Sequence, residues 1–164
     1  MSSYLILDAY NVIGALDRYR DADTFDAARD LLITDALKAA GWTGRTIIVV
    51  FDAHRAPNPR REEPRAGGAV RLVYSAPGES ADDEIERLLA RLEGSATVFT
   101  ADFALQRTAL ARGSTRATPR EFANLLDELP AIPRNPNVPH RSRIADRLSA
   151  ETLRKLEEIR RKAE

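Results

Sequence analysis

An aspartate follows each of three apolar segments of the chain: Asp8 after Tyr4–Leu7, Asp52 after Thr46–Phe51, and Asp102 shortly after Ala96–Thr100. If the segments are parallel strands, their carboxyl ends lie at one edge of a sheet, where ligands bind in α/β folds. The three carboxylates are therefore expected to meet in space. Each aspartate alone could equally be a helix cap or a turn residue. Three strand ends with the same residue type are harder to explain in that way.

A further group of acids lies in the segment Glu79–Glu84, at the predicted start of a helix. Ser80 can cap this helix and Asp83 can close a capping box, so Asp83 has a structural explanation. Asp82 and Asp83 each share a helix face with Glu86. Because this helix also opens from the carboxyl edge of the sheet, the segment is a fourth source of carboxylates there.

Converging carboxylates raise one another's pKa unless a cation lies among them. Because the chain has no cysteine and only two histidines, its ligands would be oxygen atoms, which select Mg²⁺ or Mn²⁺. Such an ion can activate a water molecule and stabilise charge on a phosphodiester. The residues thus predict phosphoryl-transfer chemistry and leave the substrate open.

Other phosphoryl-transfer sites lack their key residues. A dehalogenase-type phosphatase needs a second aspartate two residues after the first, where this chain has Tyr10. A response-regulator receiver needs a lysine at a strand end, but the lysines are Lys38, Lys155 and Lys162. The chain also has no Walker loop and no G-x-G-x-x-G after the first strand. A site made of carboxylates and metal remains.

Apolar segments that alternate with helical patterns predict a single α/β domain with a mainly parallel sheet. Thr46–Phe51 is apolar throughout, as expected for a strand buried on both faces. A helix is expected from Asp23 or Thr24 to about Ala40, with Phe25 in its buried stripe. Trp42 is expected to pack behind it.

The remaining pattern completes the order of elements. It comprises a long loop at His54–Gly68, a strand at Val70–Tyr74, a helix from Ser80 to about Leu92, a helix ending near Ala111 and a helix from Thr118 to near Leu129. Thr118-Pro119-Arg120-Glu121 predicts a capping box. Residues 1–130 are expected to form the domain, and residues 131–164 a linker rich in proline and arginine with a C-terminal helix.

Composition limits the possible compartments and partners. No apolar run approaches the roughly 20 residues of a membrane span, and the first residues do not resemble a signal peptide. A cytoplasmic protein without a membrane partner is expected. The net charge is zero, but nine basic and five acidic residues lie from Pro130 to Glu164, which leaves an acidic body with a basic tail.

The chain resembles the YacP-like NYN domains, a branch of the PIN-like nucleases. The matching segments keep the order and spacing of that family: Leu5–Gly14, Ile48–His54, Glu79–Glu86 and Thr100–Asp102, followed by Arg116 and Arg120–Phe122. The resemblance covers roughly residues 4–130. It implies a PIN-like fold and divalent-metal-dependent cleavage of RNA.

The resemblance also implies roles for individual residues. Asp8, Asp82 and Asp102 would hold the metal, with Asp52 beside them as a fourth catalytic acid. Asn11 would be the polar partner of the first aspartate, although a turn after the first strand explains it equally well. Some members of the family act on mRNA at the ribosome, so the resemblance extends to a ribosome partner for this chain.

Four further residues could contact substrate. Tyr10 could stack on a base beside the metal or fill the edge of the core. Arg55, in the loop after Asp52, could grip RNA phosphates, and Arg112 and Arg116 could line the other side of the cleft. Simple solvation explains any single surface arginine as well.

The sequence thus predicts a Mg²⁺- or Mn²⁺-dependent endoribonuclease that hydrolyses single-stranded RNA. Two alternatives stay open. One is a non-catalytic RNA- or ribosome-binding module on the same fold, whose binding would survive loss of the metal and the acids. The other is a metal-dependent phosphatase for small phosphoesters. The complete set of acids argues against the first, and the arginine-rich loops argue against the second.

Overall fold

The computed structural model of the chain describes residues 2–53, 59–130, 154 and 158–162. The chain divides into two units, Met1–Leu129 and Pro130–Glu164, and the architecture below is that of the first. In the second unit, residues 158–162 are helical. The predicted linker at Ile132–His140 lies outside the described residues, as does most of the predicted helix at Ser149–Ala163. No helix in the described parts of the chain is long and apolar enough to cross a membrane.

Within residues 2–53 and 59–129, the first unit has six strands and six α-helices. The strands are β1 (Ser3–Asp8), β2 (Thr46–Phe51), β3 (Arg61–Arg65), β4 (Val70–Tyr74), β5 (Ser95–Phe99) and β6 (Thr115–Ala117). The helices are α1 (Ala9–Ala15), α2 (Asp17–Arg20), α3 (Phe25–Thr43), α4 (Ala81–Arg91), α5 (Phe103–Ala111) and α6 (Pro119–Glu128). The predicted α/β class is confirmed.

The strands form one sheet in the order β3-β4-β2-β1-β5-β6, in which every pair is parallel except β3 with β4. Alternate residues of β2 enter two separate cores: Val49 packs on the side of α1, α3 and α6, and Val50 on the side of α4 and α5. The sheet is therefore covered on both faces, as its uniformly apolar central strands require. Its carboxyl edge carries Asp8 and Asp52.

The helix boundaries follow local chemistry. Thr24 caps α3 by accepting a hydrogen bond from the backbone of Ala27. The helix passes the expected end and stops at Gly44, whose φ of 68° is left-handed, a conformation that suits glycine. Both predicted capping boxes are confirmed, Ser80 with Asp83 and Thr118 with Glu121.

Two strands were missed by the sequence reasoning. β3 lies within the expected loop His54–Gly68 and pairs with β4 at the edge of the sheet. Its charged residues face solvent, and Pro64 is tolerated because an edge strand needs hydrogen-bond donors on one side only. β6 has three residues, too few to show a periodic pattern.

Two aromatic residues were placed wrongly. Phe25 was expected in the buried stripe of α3, yet it is 54% exposed at the first position of the helix. Trp42 was expected to pack behind the helix, yet it is 58% exposed at the other end. Small residues such as Ala28 and Ala36 take the buried face of α3, so the helix can lie close to the sheet without either ring.

Candidate active site

Asp8 ends β1, a central strand, and is buried with 6% of its surface exposed. The helix α1 begins at the next residue, but the Asp8 side chain makes no capping hydrogen bond to it. Instead, Oδ2 of Asp8 accepts a hydrogen bond of 3.1 Å from the hydroxyl of Thr100. A helix cap therefore does not explain why an acid occupies this position.

Thr100 lies directly after β5 and is fully buried. Its hydroxyl donates to Asp8 and accepts a 3.0 Å hydrogen bond from the backbone N–H of Asp102. Its carbonyl oxygen accepts from the side chain of Gln106 at 2.7 Å. One threonine thus joins two of the predicted metal ligands. The sequence reasoning missed it, although a hydroxyl at the end of an apolar strand was a detectable signal.

The electrostatics of Asp8 reflect both burial and its neighbours. Burial, the largest cause, and the charges of Asp82, Asp102 and Asp52 together raise the pKa of Asp8 from 3.8 to about 6. The hydrogen bond from Thr100 has the opposing effect. Because these effects require proximity, all three acids lie within electrostatic reach of Asp8.

Asp82 belongs to the same cluster from the first turn of α4. Burial raises its pKa, and the charges of Asp102, Asp83 and Asp52 add to the effect. Its neighbour Asp83 differs, because its carboxylate accepts hydrogen bonds from the backbone N–H and the hydroxyl of Ser80. These bonds lower the pKa of Asp83, which closes the capping box with Ser80, the N-cap of α4. The two adjacent aspartates therefore have separate roles.

Asp102 is the N-cap of α5, and its Oδ1 accepts a 2.9 Å hydrogen bond from the backbone of Leu105. The structural explanation for a strand-end aspartate therefore applies to Asp102. Capping does not remove the negative charge, which raises the pKa values of both Asp8 and Asp82. Asp102 is thus a helix cap that also contributes to the acidic cluster.

The turn that carries Asp52 is attached to the start of α4 by Ser75, which is fully buried. The backbone N–H of Ser75 donates to Phe51 at 3.0 Å, and its hydroxyl accepts from the N–H of Ala53 at 2.9 Å. The same hydroxyl donates to the carbonyl of Glu79 at 2.9 Å. Ser75, also missed from sequence, therefore fixes Asp52 relative to the segment that leads to Asp82.

Asn11 lies inside α1, so the turn considered for it after the first strand was wrong. Its side-chain oxygen accepts a 2.6 Å hydrogen bond from the backbone N–H of Ala101. Asn11 thus holds α1 against the turn that precedes Asp102. This contact gives it a positioning role, and its predicted contact with substrate stays a prediction.

The predicted substrate-binding residues are dispersed. Tyr10 packs between the rings of Phe25 and Phe51. Arg112 follows the last residue of α5 and forms an ion pair with Glu86 at 3.6 Å. Arg55 lies outside the described residues.

Arg116 lies in the middle of β6, opposite Val98 of β5. It lines a cavity of about 490 Å³ whose walls include Thr43, Arg45 and Phe99. Its predicted contact with substrate stays a prediction.

A buried ion cluster lies beside the acids. Glu84 is fully buried in α4, and both Nε and Nη2 of Arg60 donate to its Oε1, at 2.9 and 2.7 Å. Arg87 donates to the other oxygen at 2.7 Å. Because Arg60 directly precedes β3, this cluster joins the edge of the sheet to α4. The sequence reasoning did not identify it.

The aspartates offer hard oxygen atoms in a negative, partly buried setting, which is the chemistry that Mg²⁺ and Mn²⁺ select. No group of three or more acidic or histidine side chains within residues 2–53, 59–130, 154 and 158–162 is drawn together tightly enough to hold an ion on its own. Mg²⁺ commonly binds through one or two carboxylates and several waters. The residues fit such a water-rich site and not a closed cage.

Comparison with known proteins identifies the family of the chain. The model of the YacP-like NYN domain family matches residues 5–161. The chain is 36% identical over 135 residues to the uncharacterized protein YacP of Bacillus subtilis, a match that covers 79% of this chain and 76% of that protein.

Solved structures agree. The crystal structure of Rae1 (YacP) from Bacillus subtilis has a TM-score of 0.66 at 28% identity and covers 96% of this chain and 94% of its own. A crystal structure of a single-substitution mutant of the same protein has a TM-score of 0.64 at 30% identity, covering 77% and 75%. With a family match over nearly its whole length and a fold shared with these structures, the chain belongs to the YacP-like NYN domain family.

Proposed function

We propose that the protein is a divalent-metal-dependent endoribonuclease that hydrolyses phosphodiester bonds of single-stranded RNA. The observation that carries the proposal is the burial of Asp8 among Asp52, Asp82 and Asp102, which raises its pKa to about 6. Clustered carboxylates destabilise one another's ionised forms. Such a cluster is therefore expected where a protein binds a cation or transfers a proton. The nuclease-like fold of the family supports a phosphodiester as substrate.

Asp8, Asp82 and Asp102 are the proposed metal ligands. When bound, Mg²⁺ or Mn²⁺ would activate a water molecule and offset charge on the phosphate. The protein's own contribution is to hold the ligands in place. The Thr100 hydroxyl orients Asp8, its link to the backbone of Asp102 fixes the second acid, and Ser75 fixes the turn of Asp52. Asp52 would bind the ion or accept a hydrogen bond from its water.

The proposed natural substrate is mRNA, with the ribosome as the place of cleavage and the cytoplasm as the compartment. The support for this is the family membership, together with Arg112, which pairs with Glu86 one turn after Asp82 in α4. Arginine can pair with phosphates and stack on unpaired bases.

A non-catalytic RNA-binding module on the same fold is the second candidate. One observation favours it: the acids in the described part of the chain do not form a ready-made group of three around an ion. Such a module would bind RNA equally well without a metal and after loss of the acids. The proposed nuclease would lose cleavage under both conditions.

The test is cleavage of a long, end-labelled single-stranded RNA with Mn²⁺ or Mg²⁺, with EDTA, and with the Asp8→Asn variant. Asp83→Asn is a matched control, because Asp83 is adjacent to Asp82 and closes the capping box of α4 with Ser80. We expect cleavage by the wild type and by Asp83→Asn, and none with EDTA or Asp8→Asn. Cleavage by folded Asp8→Asn would overturn the assignment of the site.

A negative result on naked RNA is resolved with translating ribosomes as substrate under the same conditions. Cleavage of mRNA there alone would make the enzyme ribosome-dependent. Binding without cleavage in both settings would establish the second candidate. Hydrolysis of p-nitrophenyl phosphate without cleavage of RNA would instead support a phosphatase of small phosphoesters.

A further inference from the structure

Four aromatic rings form a row at the carboxyl edge of the sheet. The Tyr10 ring lies 5.1 Å from Phe25 and 5.9 Å from Phe51, measured between ring centroids. Phe51 in turn stacks on Tyr74, at 5.1 Å and an interplanar angle of 17°. The guanidinium of Arg61 lies 4.0 Å from the centroid of the Tyr74 ring. Contacts of this kind stabilise the packing of the rings.

Exposure differs sharply along this row. Phe51 and Tyr74 are buried and Tyr10 is partly buried, but Phe25 is 54% exposed. A single exposed apolar side chain is ordinary on a protein surface. Phe25 differs because its ring is braced by Tyr10 from within the row. At the Phe25 end, the row therefore presents to solvent an aromatic ring that packs against Tyr10.

A cavity of about 290 Å³ adjoins this ring. Phe25, Ile13 and Ala28 give it apolar walls, and the charged residues Arg20 and Asp23 also line it. Arg20 already forms an ion pair with Asp17. The volume is close to the lower end, about 300 Å³, of pockets that hold small ligands. Apolar walls with balanced charges suit a flat, uncharged group and not a phosphate.

The row connects this cavity to the acidic cluster. Tyr10 follows Asp8 by two residues, and Phe51 directly precedes Asp52. The negative charge of Asp52 also contributes to the raised pKa of Tyr10, so the two side chains lie within electrostatic reach. A polymer whose phosphate lies at the acids could therefore place a neighbouring group at the Phe25 ring.

We propose that Phe25, braced by Tyr10, is a stacking platform for one unpaired base of an RNA strand that passes the acidic cluster, with the adjoining cavity as the pocket for that base. This inference rests on the proposed function for its choice of RNA. Flat, uncharged bases stack on aromatic rings whatever their sequence. An apolar side chain of a partner protein would fit the walls too, but it would gain no advantage from a ring over an aliphatic group.

The experiment measures binding of full-length protein to single-stranded RNA carrying one 2-aminopurine, placed at each position in turn, with EDTA present to prevent cleavage. Stacking quenches 2-aminopurine, so the wild type should quench it strongly at one position. We expect Phe25→Ala to abolish that quenching and to weaken binding about tenfold, as for loss of one stacked base. Phe25→Trp should retain both, whereas Phe25→Leu, which keeps apolar bulk without a ring, should behave as Phe25→Ala.

Trp42→Ala is the matched control. Trp42 lies on the same helix and is similarly exposed at 58%, but 17 residues separate it from Phe25, roughly 26 Å along the axis. It should bind and quench as the wild type does. Circular dichroism and thermal melting confirm that every variant is folded, as expected for substitution of an exposed ring.

Three results would overturn the inference: wild-type quenching by Phe25→Ala, full activity of Phe25→Leu in both measurements, or no RNA binding by the wild type. The test of the platform can fail independently of the test of nuclease activity. Cleavage by the wild type with unchanged RNA binding by Phe25→Ala would reject the platform and keep the enzyme. Base stacking without cleavage in Mn²⁺, either of free RNA or of mRNA on translating ribosomes, would keep the platform and reject the enzyme.

Discussion

The hydroxyl of Thr100 donates a 3.1 Å hydrogen bond to the carboxylate of Asp8, a contact between residues 92 positions apart in the chain. The same hydroxyl accepts from the backbone of Asp102. Since β1 and β5 are neighbouring parallel strands, the register of that pair sets this contact. The site therefore depends on the register of the sheet, because a shift of β5 along β1 would separate Asp102 from Asp8.

Replacement of Thr100 by valine tests this contact. The Thr100 bond lowers the pKa of Asp8 against the larger effect of burial, so its loss should raise that pKa further above about 6. Cleavage that needs ionised Asp8 should then begin at higher pH, and the acid limb of the pH–rate profile should move by up to about one pH unit. Loss of one buried hydrogen bond should also cost about 1–3 kcal/mol of unfolding free energy.

Thr108→Val is the control for that substitution. Its hydroxyl bonds to the carbonyl of Ala104 on the surface of α5, so its loss should leave the pH profile unchanged. An unshifted acid limb in Thr100→Val would show that Asp8 is not the group whose ionisation limits the rate.

Burial of Asp8 also predicts how stability depends on pH without metal. Its pKa is about 6 in the folded protein against 3.8 as the ordinary value, so between these values the folded state binds more protons than the unfolded state. Stability from protonated Asp8 is complete below pH 3.8 and is lost as the pH rises through 6. At about 1.36 kcal/mol per pKa unit, the loss is up to about 3 kcal/mol.

Asp8→Asn should therefore be more stable than the wild type at pH 8 in EDTA, and similar to it near pH 4. Urea unfolding at the two pH values measures the difference. Asp83→Asn should have the opposite effect, because the pKa of Asp83 is lowered by its bonds to Ser80 and its charge stabilises the fold at neutral pH. Equal stability of Asp8→Asn and wild type at pH 8 would contradict the burial of a charged Asp8.

Divalent ions should offset the loss of folding stability that the acidic cluster causes. At pH 8, Mn²⁺ at about ten times its Kd should stabilise the wild type by about 1.4 kcal/mol. The stabilisation should be smaller in Asp82→Asn, because the pKa of Asp82 is raised as that of Asp8 is. It should be unchanged in Asp83→Asn, because the pKa of Asp83 is lowered. Thermal melting against Mn²⁺ concentration measures it. Equal stabilisation of all three proteins would place the ion elsewhere.

The strand ends were predictable because apolar runs such as Thr46–Phe51 reveal buried parallel strands. The caps of α4 and α6 were predictable because a capping box is local chemistry. The convergence of Asp8, Asp52 and Asp102 at one edge followed from topology alone. These features depend either on neighbouring residues or on the direction of strands.

Contacts that depend on register or on the packing of side chains were beyond the sequence. Nothing in the pattern pairs Thr100 with Asp8, or Ser75 with Ala53. Phe25 fitted the periodic stripe of α3 but lies at its first turn, where the ring projects past the sheet to Tyr10. The periodicity of apolar residues predicts which face of a helix is buried, but it does not predict where along the helix the core ends. The exposure of Phe25 could therefore not be predicted from the sequence.

The buried carboxylate of Glu84 gives the last prediction. Arg60 and Arg87 occupy its two oxygens, so Glu84→Gln would remove the buried counterion that they share and leave them with their more exposed partners, Glu62 and Glu79. Breaking a buried pair in this way costs on the order of 3 kcal/mol of unfolding free energy. Because Arg60 precedes β3, the loss should also loosen the edge of the sheet. Glu63→Gln is the control: it lies on the same strand, its pairs with Arg61 and Arg65 are partly exposed, and such pairs contribute at most about 1 kcal/mol. Urea unfolding at neutral pH compares the two variants, and a smaller loss for Glu84→Gln than for Glu63→Gln would mean that the cluster does not hold β3 to α4.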